Sequence, residues 1–396
     1  MEPLLISHFT VTSCLGSGLA PTLDALRLGS SGLAPCRFEA VDLETYVGEV
    51  AGLEDRPLAA GWSEFDCRNN RLARQGLEQD GFAEAVRDAV RRLGPGRVGV
   101  FLGTSTSGIL QTELAYRRRG PDGRMPEDFH YRGTHNTFSV AAFVRSYFRL
   151  EGPALVVSSA CSSSAKAYGS AARMIRCGLI DAALVGGVDS LCLTTLYGFH
   201  ALELLSRQPC RPFDGERDGI SVGEAAAFSL LERLPREVEA DALLLLGIGE
   251  SSDAYHMSAP HPEGVGARRA MESALAAAGI LPREIDYVNL HGTGTRSNDA
   301  AEAKAVWEVF GERVSCNSTK GATGHALGAA GAVEAAISLL ALRHGLIPGS
   351  VGTRCVDPAF ALDYRLDGES RPMRRVLSNS FGFGGSNCSL VFGRAG

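Results

Sequence analysis

The chain has 396 residues, of which 45% are hydrophobic, 21% charged and 7% aromatic, with 47 glycines; this composition excludes disorder and fits one large α/β domain or two fused halves. Against 39 Lys and Arg stand 45 Asp and Glu, and the net charge of −6 has the wrong sign for gripping a nucleic-acid backbone. No apolar run approaches the roughly 20 residues of a bilayer span, and the first basic residue is Arg27, so the positive start of a secretory signal is missing. The expectation is a cytoplasmic protein.

In chain order, strands and helices alternate as in a layered α/β fold. Residues 97–108 (RVGVFLGTSTSG) form an apolar strand that runs into a small-residue loop, and residues 139–150 have helical spacing. Residues 153–191 give strand, tight turn, helix and strand in succession. The second half repeats part of this logic at 313–347, again strand, loop and small-residue helix. The first of these helices closes on Arg176-Cys177-Gly178-Leu179-Ile180 and the second on Arg343-His344-Gly345-Leu346-Ile347, the same R-x-G-L-I pattern. Five positions fit either an ancient duplication or a recurring glycine cap before a strand. The charged, proline-containing stretch 231–249 puts the seam near residue 240, dividing the chain into 1–240 and 241–396.

Ten scattered cysteines contain no C-x-x-C pair, which argues against a zinc site and a disulfide framework. Phosphate-loop signals fail too. Gly16-Ser17-Gly18 lacks the third glycine of a dinucleotide fingerprint, and no Gly-Lys dipeptide exists for a P-loop. One cysteine is set apart by position: Cys161 lies between the strand 154–157 and a helix that begins within Ser and Ala. A thiol there faces the positive end of the helix dipole, so the expectation is a pKa below the free value of about 8.5 and a nucleophilic role.

Two histidines stand in glycine- and threonine-rich loops after strands, His291 opening HGTGT and His325 within STKGATGHALGAAG. Small neighbours leave room for a substrate and for backbone donors. His8, His130, His135, His200 and His344 read instead as ordinary surface or core residues. Glycines 321, 324, 328 and 331 recur at helical steps and predict a bare, deeply buried face. Lys320 lies beside them and is one of only three lysines among the 39 basic residues. A compact ammonium suits a narrow pocket better than an arginine fork.

Six motifs in order, SSACSSSAK, RPFDGERDG, SSDAYHMSAPHPEG, HGTGTRSNDAAE, NSTKGATGHALGAAGAVE and NSFGFGGSN, resemble those of the β-ketoacyl-acyl-carrier-protein synthases, in the elongating branch with a Cys-His-His site. The resemblance is strong from about residue 97 onward and weaker before it, where the first strand and turn depart from the family pattern. It implies a thiolase-type fold: two similar halves, each with a mixed five-stranded sheet, in five αβαβα layers. Cys161 would take an acyl chain from an acyl carrier protein, with the backbone N–H groups of Cys161 and Phe383 as oxyanion hole. His291 and His325 would donate to the enolate formed when a malonyl carrier thioester loses carbon dioxide, giving a 3-oxoacyl product two carbons longer. Lys320 would keep them neutral and pair with Glu334. An unbroken helix would turn Glu334, nine positions beyond His325, away from the site; helix onset after His325 would bring it back.

The same resemblance casts Thr293 and Thr295 as partners of the pantetheine arm, Phe383 as a gate between glycines, and residues 253–256 (DAYH) as a second loop against it. It implies neither metal nor cofactor beyond the carrier's phosphopantetheine. An acidic carrier calls for a local basic patch, for which the candidates are Arg68, Arg71, Arg74, Arg124 and Arg207, with a loop cluster at 117–119. The family forms homodimers whose acyl pocket reaches the interface near the loop 104–109. Three readings follow: a decarboxylating condensing acyltransferase of fatty-acid or polyketide/polyene synthesis; a non-catalytic, chain-length-setting partner of a sister synthase, against which the intact Cys161, His291 and His325 argue; and a degradative thiolase, disfavoured by the paired histidines and HGTGT.

Overall fold

The computed structural model describes all 396 residues. The first half contributes β1 (Leu4–Ser13), β2 (Val98–Gly103), β3 (Ala154–Val157), β4 (Ala182–Asp189) and β5 (Ala225–Arg233). They lie side by side in the order β1-β5-β4-β2-β3. The second half contributes β6 (Leu243–Ser252), β7 (Tyr287–Asn289), β8 (Ser315–Asn317), β9 (Arg375–Gly382) and β10 (Ser386–Arg394). Their order is β6-β10-β9-β7-β8, and a two-residue strand, Asp363–Tyr364, pairs parallel with β8 at the outer edge as a sixth strand beyond the expected five. Each half therefore arranges its strands as first, last, fourth, second, third. In each, the last three are parallel and the last-in-sequence strand is antiparallel to its neighbours. The two sheets are not fully separate: β1 and β6 pair at Leu4↔Leu245 and Leu5↔Leu244, which joins them edge to edge.

Alternation along the strands builds the layers. On β4, Ala183 and Val185 enter the central core while Ala182, Leu184 and Val188 enter an outer one. The outer core is completed by α1 (Arg68–Leu77) and α2 (Ser139–Phe148). The central core is filled by α3 (Ser163–Arg176), and across the second sheet α4 (Val265–Ala278) and α5 (Arg296–Phe310) cover the opposite outer face. A further central helix, α6 (Ala330–His344), packs beside α3, which makes five layers. Leu327–His344 is helical and apolar enough by composition to cross a membrane, contrary to the sequence reading, yet 89% of it is buried between the sheets.

Helices α3 and α6 follow the third strand of their halves, and each ends in the R-x-G-L-I stretch. Gly178 and Gly345 take φ of +75° and +60° there, the left-handed cap that glycine adopts at least cost. The two helices meet closely: a Cβ on Gly331 would lie 2.8 Å from the Ala165 backbone nitrogen. The expected stripe of four glycines is not one helix face. Helix α6 starts only at Ala330, so glycines 321, 324 and 328 precede it and approach the backbones of Val351, Gly223 and Ser105 instead.

Candidate active site

Cys161 lies in the five-residue turn 158–162 between β3 and α3. Ala160 is held at φ +51°, a left-handed conformation that aims the following thiol inward. The expected low pKa is not found. Burial pushes the Cys161 thiol up to about 11, although the Lys320 ammonium and the Phe383 and Cys161 backbone N–H groups, which face the sulfur, pull the other way. The resting group is a thiol.

The histidines converge on it from the second half. His325 Nε2 lies 3.1 Å from Cys161 Sγ, and its Nδ1 accepts the Leu327 N–H at 3.2 Å. That bond places the imidazole proton on Nε2, facing the sulfur. The His291 ring meets the His325 ring edge-on, with centroids 5.3 Å apart. Lys320 Nζ is 3.3 Å from His291 Nδ1 and also donates to the His291 carbonyl. Since an ammonium has only donors, His291 likewise carries its proton on Nε2, which is buried with no protein partner. Burial first, and then the Lys320 charge, hold both imidazoles well below the usual histidine range. Two neutral N–H donors therefore face the space beside the thiol.

Lys320 Nζ pairs with Glu334, and both side chains are buried. The contact exists because the chain breaks between them: Lys320 sits in the short helix Lys320–Thr323, and α6 begins after His325. Burial raises the Glu334 carboxyl to about 7 against the opposing pull of Lys320. Cys161, His291 and His325 offer ligand atoms within 4.8 Å of one another, a set that could also hold a cation. The adjacent ammonium opposes a second positive charge there.

A narrow cavity reaches these three side chains and is lined by Thr293, Thr295, Phe199 and Phe383 among others. Thr293 and Thr295 share a hydrogen bond of 2.9 Å, leaving hydroxyl capacity toward the cavity. Phe383 is half-buried and touches Phe199 edge-on at 6.0 Å. The glycines after it, Gly384 and Gly385, sit at φ +76° and +70°. From the segment 253–256, Asp253 donates its N–H to Gly385 O at 2.9 Å, and Met257, just beyond that segment, accepts the Gly384 N–H at 2.7 Å.

The arginine patch on α1 requires correction. Arg68 is 4% exposed and forks onto the fully buried Glu224 at 2.6 and 2.9 Å, with Glu49 and Glu54 also in reach. Arg71 forks onto Asp66 with two bonds of 2.7 Å, and Arg74 donates to Pro57 O. Arg71 and Arg74 fasten α1 to the chain just before it and Arg68 fastens it to Glu224, so they have little left for a partner. Arg124, 87% exposed, and Arg207 remain on the surface.

Sequence reasoning missed the carboxylates that shape the loops. Glu302 accepts the His291 and Gly292 N–H groups, each at 2.7 Å, and Asp299 accepts those of Thr293 and Gly294. Both lie in the early turns of α5, directly after HGTGT, where an acidic residue can fold back onto a preceding loop. Asp189 ends β4 as the one charge in an apolar strand and is fully buried.

A two-half layered fold with a buried thiol and two neutral imidazoles on converging loops defines a thiolase-type condensing enzyme. Residues 69–237 match the family model described as beta-ketoacyl synthase, N-terminal domain, and residues 243–354 the C-terminal domain. The chain is 33% identical to a 3-oxoacyl-(acyl-carrier-protein) synthase 2 of Coxiella burnetii, over 99% of this chain and 98% of that protein. Among solved structures it resembles the ketosynthase ApeO in complex with its chain length factor ApeC from Xenorhabdus doucetiae, with TM-score 0.91 and 39% identity over 100% of this chain and 98% of that one. A beta-ketoacyl synthase from Burkholderia phymatum superposes with TM-score 0.87 at 30% identity, with both chains fully covered. The protein belongs to the beta-ketoacyl synthase family and is a condensing acyltransferase.

Proposed function

We propose that the chain is a 3-oxoacyl-acyl-carrier-protein synthase in which Cys161 is the nucleophile and His291 and His325 are the donors for decarboxylation. The observation that carries this reading is the pair of Nε2–H groups facing one cavity with the thiol. In acylation, Sγ attacks the thioester of an acyl carrier; the C–S bond to pantetheine breaks, and the carrier leaves as its thiol. The Cys161 and Phe383 N–H groups stabilise the tetrahedral oxyanion. Malonyl carrier thioester then loses carbon dioxide, and the electron pair of the broken C–C bond forms an enolate whose oxygen accepts from both histidines. Its carbon attacks the acyl-cysteine and expels the Cys161 thiolate, which regains a proton. No resident metal or cofactor enters this scheme. Thr293 and Thr295 bind the arm's amides, Phe383 gates the acyl chain, and Arg124 and Arg207 meet the acidic carrier in the cytoplasm.

A second ketosynthase-like subunit completes the reading. Strand β3 is the free edge of the first sheet and leaves Leu155 39% exposed, an edge that a second chain would cover. Two of the most similar solved structures are ketosynthases with a chain length factor, which favours a sister subunit and a specialised polyketide or polyene pathway. The homodimer of fatty-acid elongation that the family resemblance implies is the second reading; similarity to a 3-oxoacyl-(acyl-carrier-protein) synthase 2 supports the reaction common to both. Co-expression with neighbouring gene products, native mass of the purified complex and incubation with a panel of acyl and malonyl carriers decide between them. Failure to yield any 3-oxoacyl product with any carrier would overturn both.

A further inference from the structure

Asp189 is a buried carboxylate whose two oxygens serve different parts of the molecule. Oδ1 accepts the Thr104 hydroxyl at 2.7 Å, the Ser105 N–H at 2.8 Å, and both the N–H and hydroxyl of Thr106 at 2.7 Å. Oδ2 accepts Ser105 N–H at 3.0 Å and, from the other half of the molecule, Ala329 N–H at 3.1 Å. That N–H is shared with Ala326 O at 2.9 Å. A single side chain thus clips the loop after β2 to the turn that runs from His325 to α6.

The turn needs holding. Leu327, two residues before Ala329, stands at φ +50°, a conformation that a γ-branched residue keeps only when its surroundings enforce it. Its N–H is the group that occupies His325 Nδ1 and so leaves the imidazole proton on Nε2. Gly328 is pressed against the same clip, with its Cβ position 2.8 Å from Asp189 Oδ2. If Leu327 relaxed to negative φ, its N–H would swing away from Nδ1, and the tautomer and tilt of His325 would no longer be fixed.

We propose that Asp189 is a positioning residue for His325: by holding Ala329 it keeps the strained Leu327 turn in place, and through the Leu327 N–H it sets the donor that faces Cys161. The inference rests on the catalytic role proposed for His325 above. The two oxygens make a selective test available. Asp189→Asn keeps the size and, with its carbonyl in the Oδ1 position, keeps the Thr104–Thr106 contacts, while its NH2 meets the Ser105 and Ala329 N–H groups donor to donor. Rotating the amide by a half-turn would oppose more donors, so the Ala329 link is the one lost.

The experiment measures two partial reactions of the purified enzyme, with whatever partner subunit co-purifies: formation of the acyl-cysteine by intact mass, and carbon dioxide release from malonyl carrier protein. In Asp189→Asn, decarboxylation falls by about tenfold or more, while acylation stays within about twofold. Leu327→Gly removes the left-handed penalty, so adding Asp189→Asn to that background costs decarboxylation only about twofold, the non-additivity of a coupled pair. Equal loss of both reactions in Asp189→Asn, or no loss of either, overturns the inference. So does a full tenfold cost of Asp189→Asn in the Leu327→Gly background. If Leu327→Gly does not fold, the split between the two reactions in Asp189→Asn decides alone. A wild-type enzyme that performs neither reaction would instead refute the catalytic reading on which the inference stands.

Discussion

The two central helices occupy equivalent places in the two halves, yet their approaches differ. From the end of β3 the chain reaches α3 across residues 158–162, with Cys161 at the helix entrance. From the end of β8 it reaches α6 only after residues 318–329, an excursion that carries Lys320, His325 and the strained Leu327. The short turn presents a nucleophile with backbone donors around it; the long one folds back and brings an ammonium and an imidazole to face it. One architecture thus supplies attacking and stabilising groups from opposite sides.

The largest effect that sharpens this contrast is expected at His325. His325→Ala lowers malonyl decarboxylation by roughly 10²- to 10⁴-fold while acyl-cysteine formation, read by intact mass, survives. Equal loss of both steps would break the division of labour between the turns.

Next comes the buried pair that anchors the excursion. Lys320→Ala leaves the Glu334 carboxyl alone in the core and destabilises the fold by about 3–5 kcal/mol in urea denaturation. Removing both partners recovers a substantial part of that loss, whereas an unchanged midpoint in the single variant would show that the pair does not hold the turn.

A smaller effect is expected with pH. Burial and Lys320 lower the pKa of both histidines, and Glu302 and Glu334, the carboxylates nearest them, are themselves raised to about 7 by burial. An imidazole with a lowered pKa stays neutral as pH falls through the ordinary histidine value of about 6.5. Decarboxylation by pre-acylated enzyme therefore persists below pH 6.5 and fails only at more acid pH. An acid limb centred at or above 6.5 would contradict the neutral-donor arrangement. The smallest effect is on the surface: Arg207→Glu raises KM for the carrier several-fold without changing kcat. Arg71→Ala lowers stability and leaves KM unchanged, because its fork is already spent on Asp66.

The contrast between the turns also explains what could be read from the sequence. Cys161 was legible because a strand, a turn of small residues and a helix are contiguous there, and local order alone defines the helix entrance. His291 and His325 were legible from the small residues that surround them. The Lys320–Glu334 contact was not derivable from spacing, since it depends on where α6 starts. The pKa of Cys161 was misjudged because helix direction is local, whereas burial of the sulfur comes from the other half of the chain. Arg68 misled for the same reason: its spacing with Arg71 and Arg74 marks a helix face, but Glu224, which neutralises it, is 156 residues away. The β1–β6 pairing depends on the register of two strands whose sequences carry no mark of each other.

The central claim is that the first half supplies the nucleophile and the second half the decarboxylating donors. It is tested most directly by Cys161→Ala, incubated with acyl carrier protein and, separately, with malonyl carrier protein. The account predicts complete loss of the covalent acyl adduct by intact mass, with carbon dioxide release from malonyl carrier retained, because His291 and His325 remain in place. An undiminished adduct on the variant, or loss of carbon dioxide release as deep as that of His325→Ala, would contradict it.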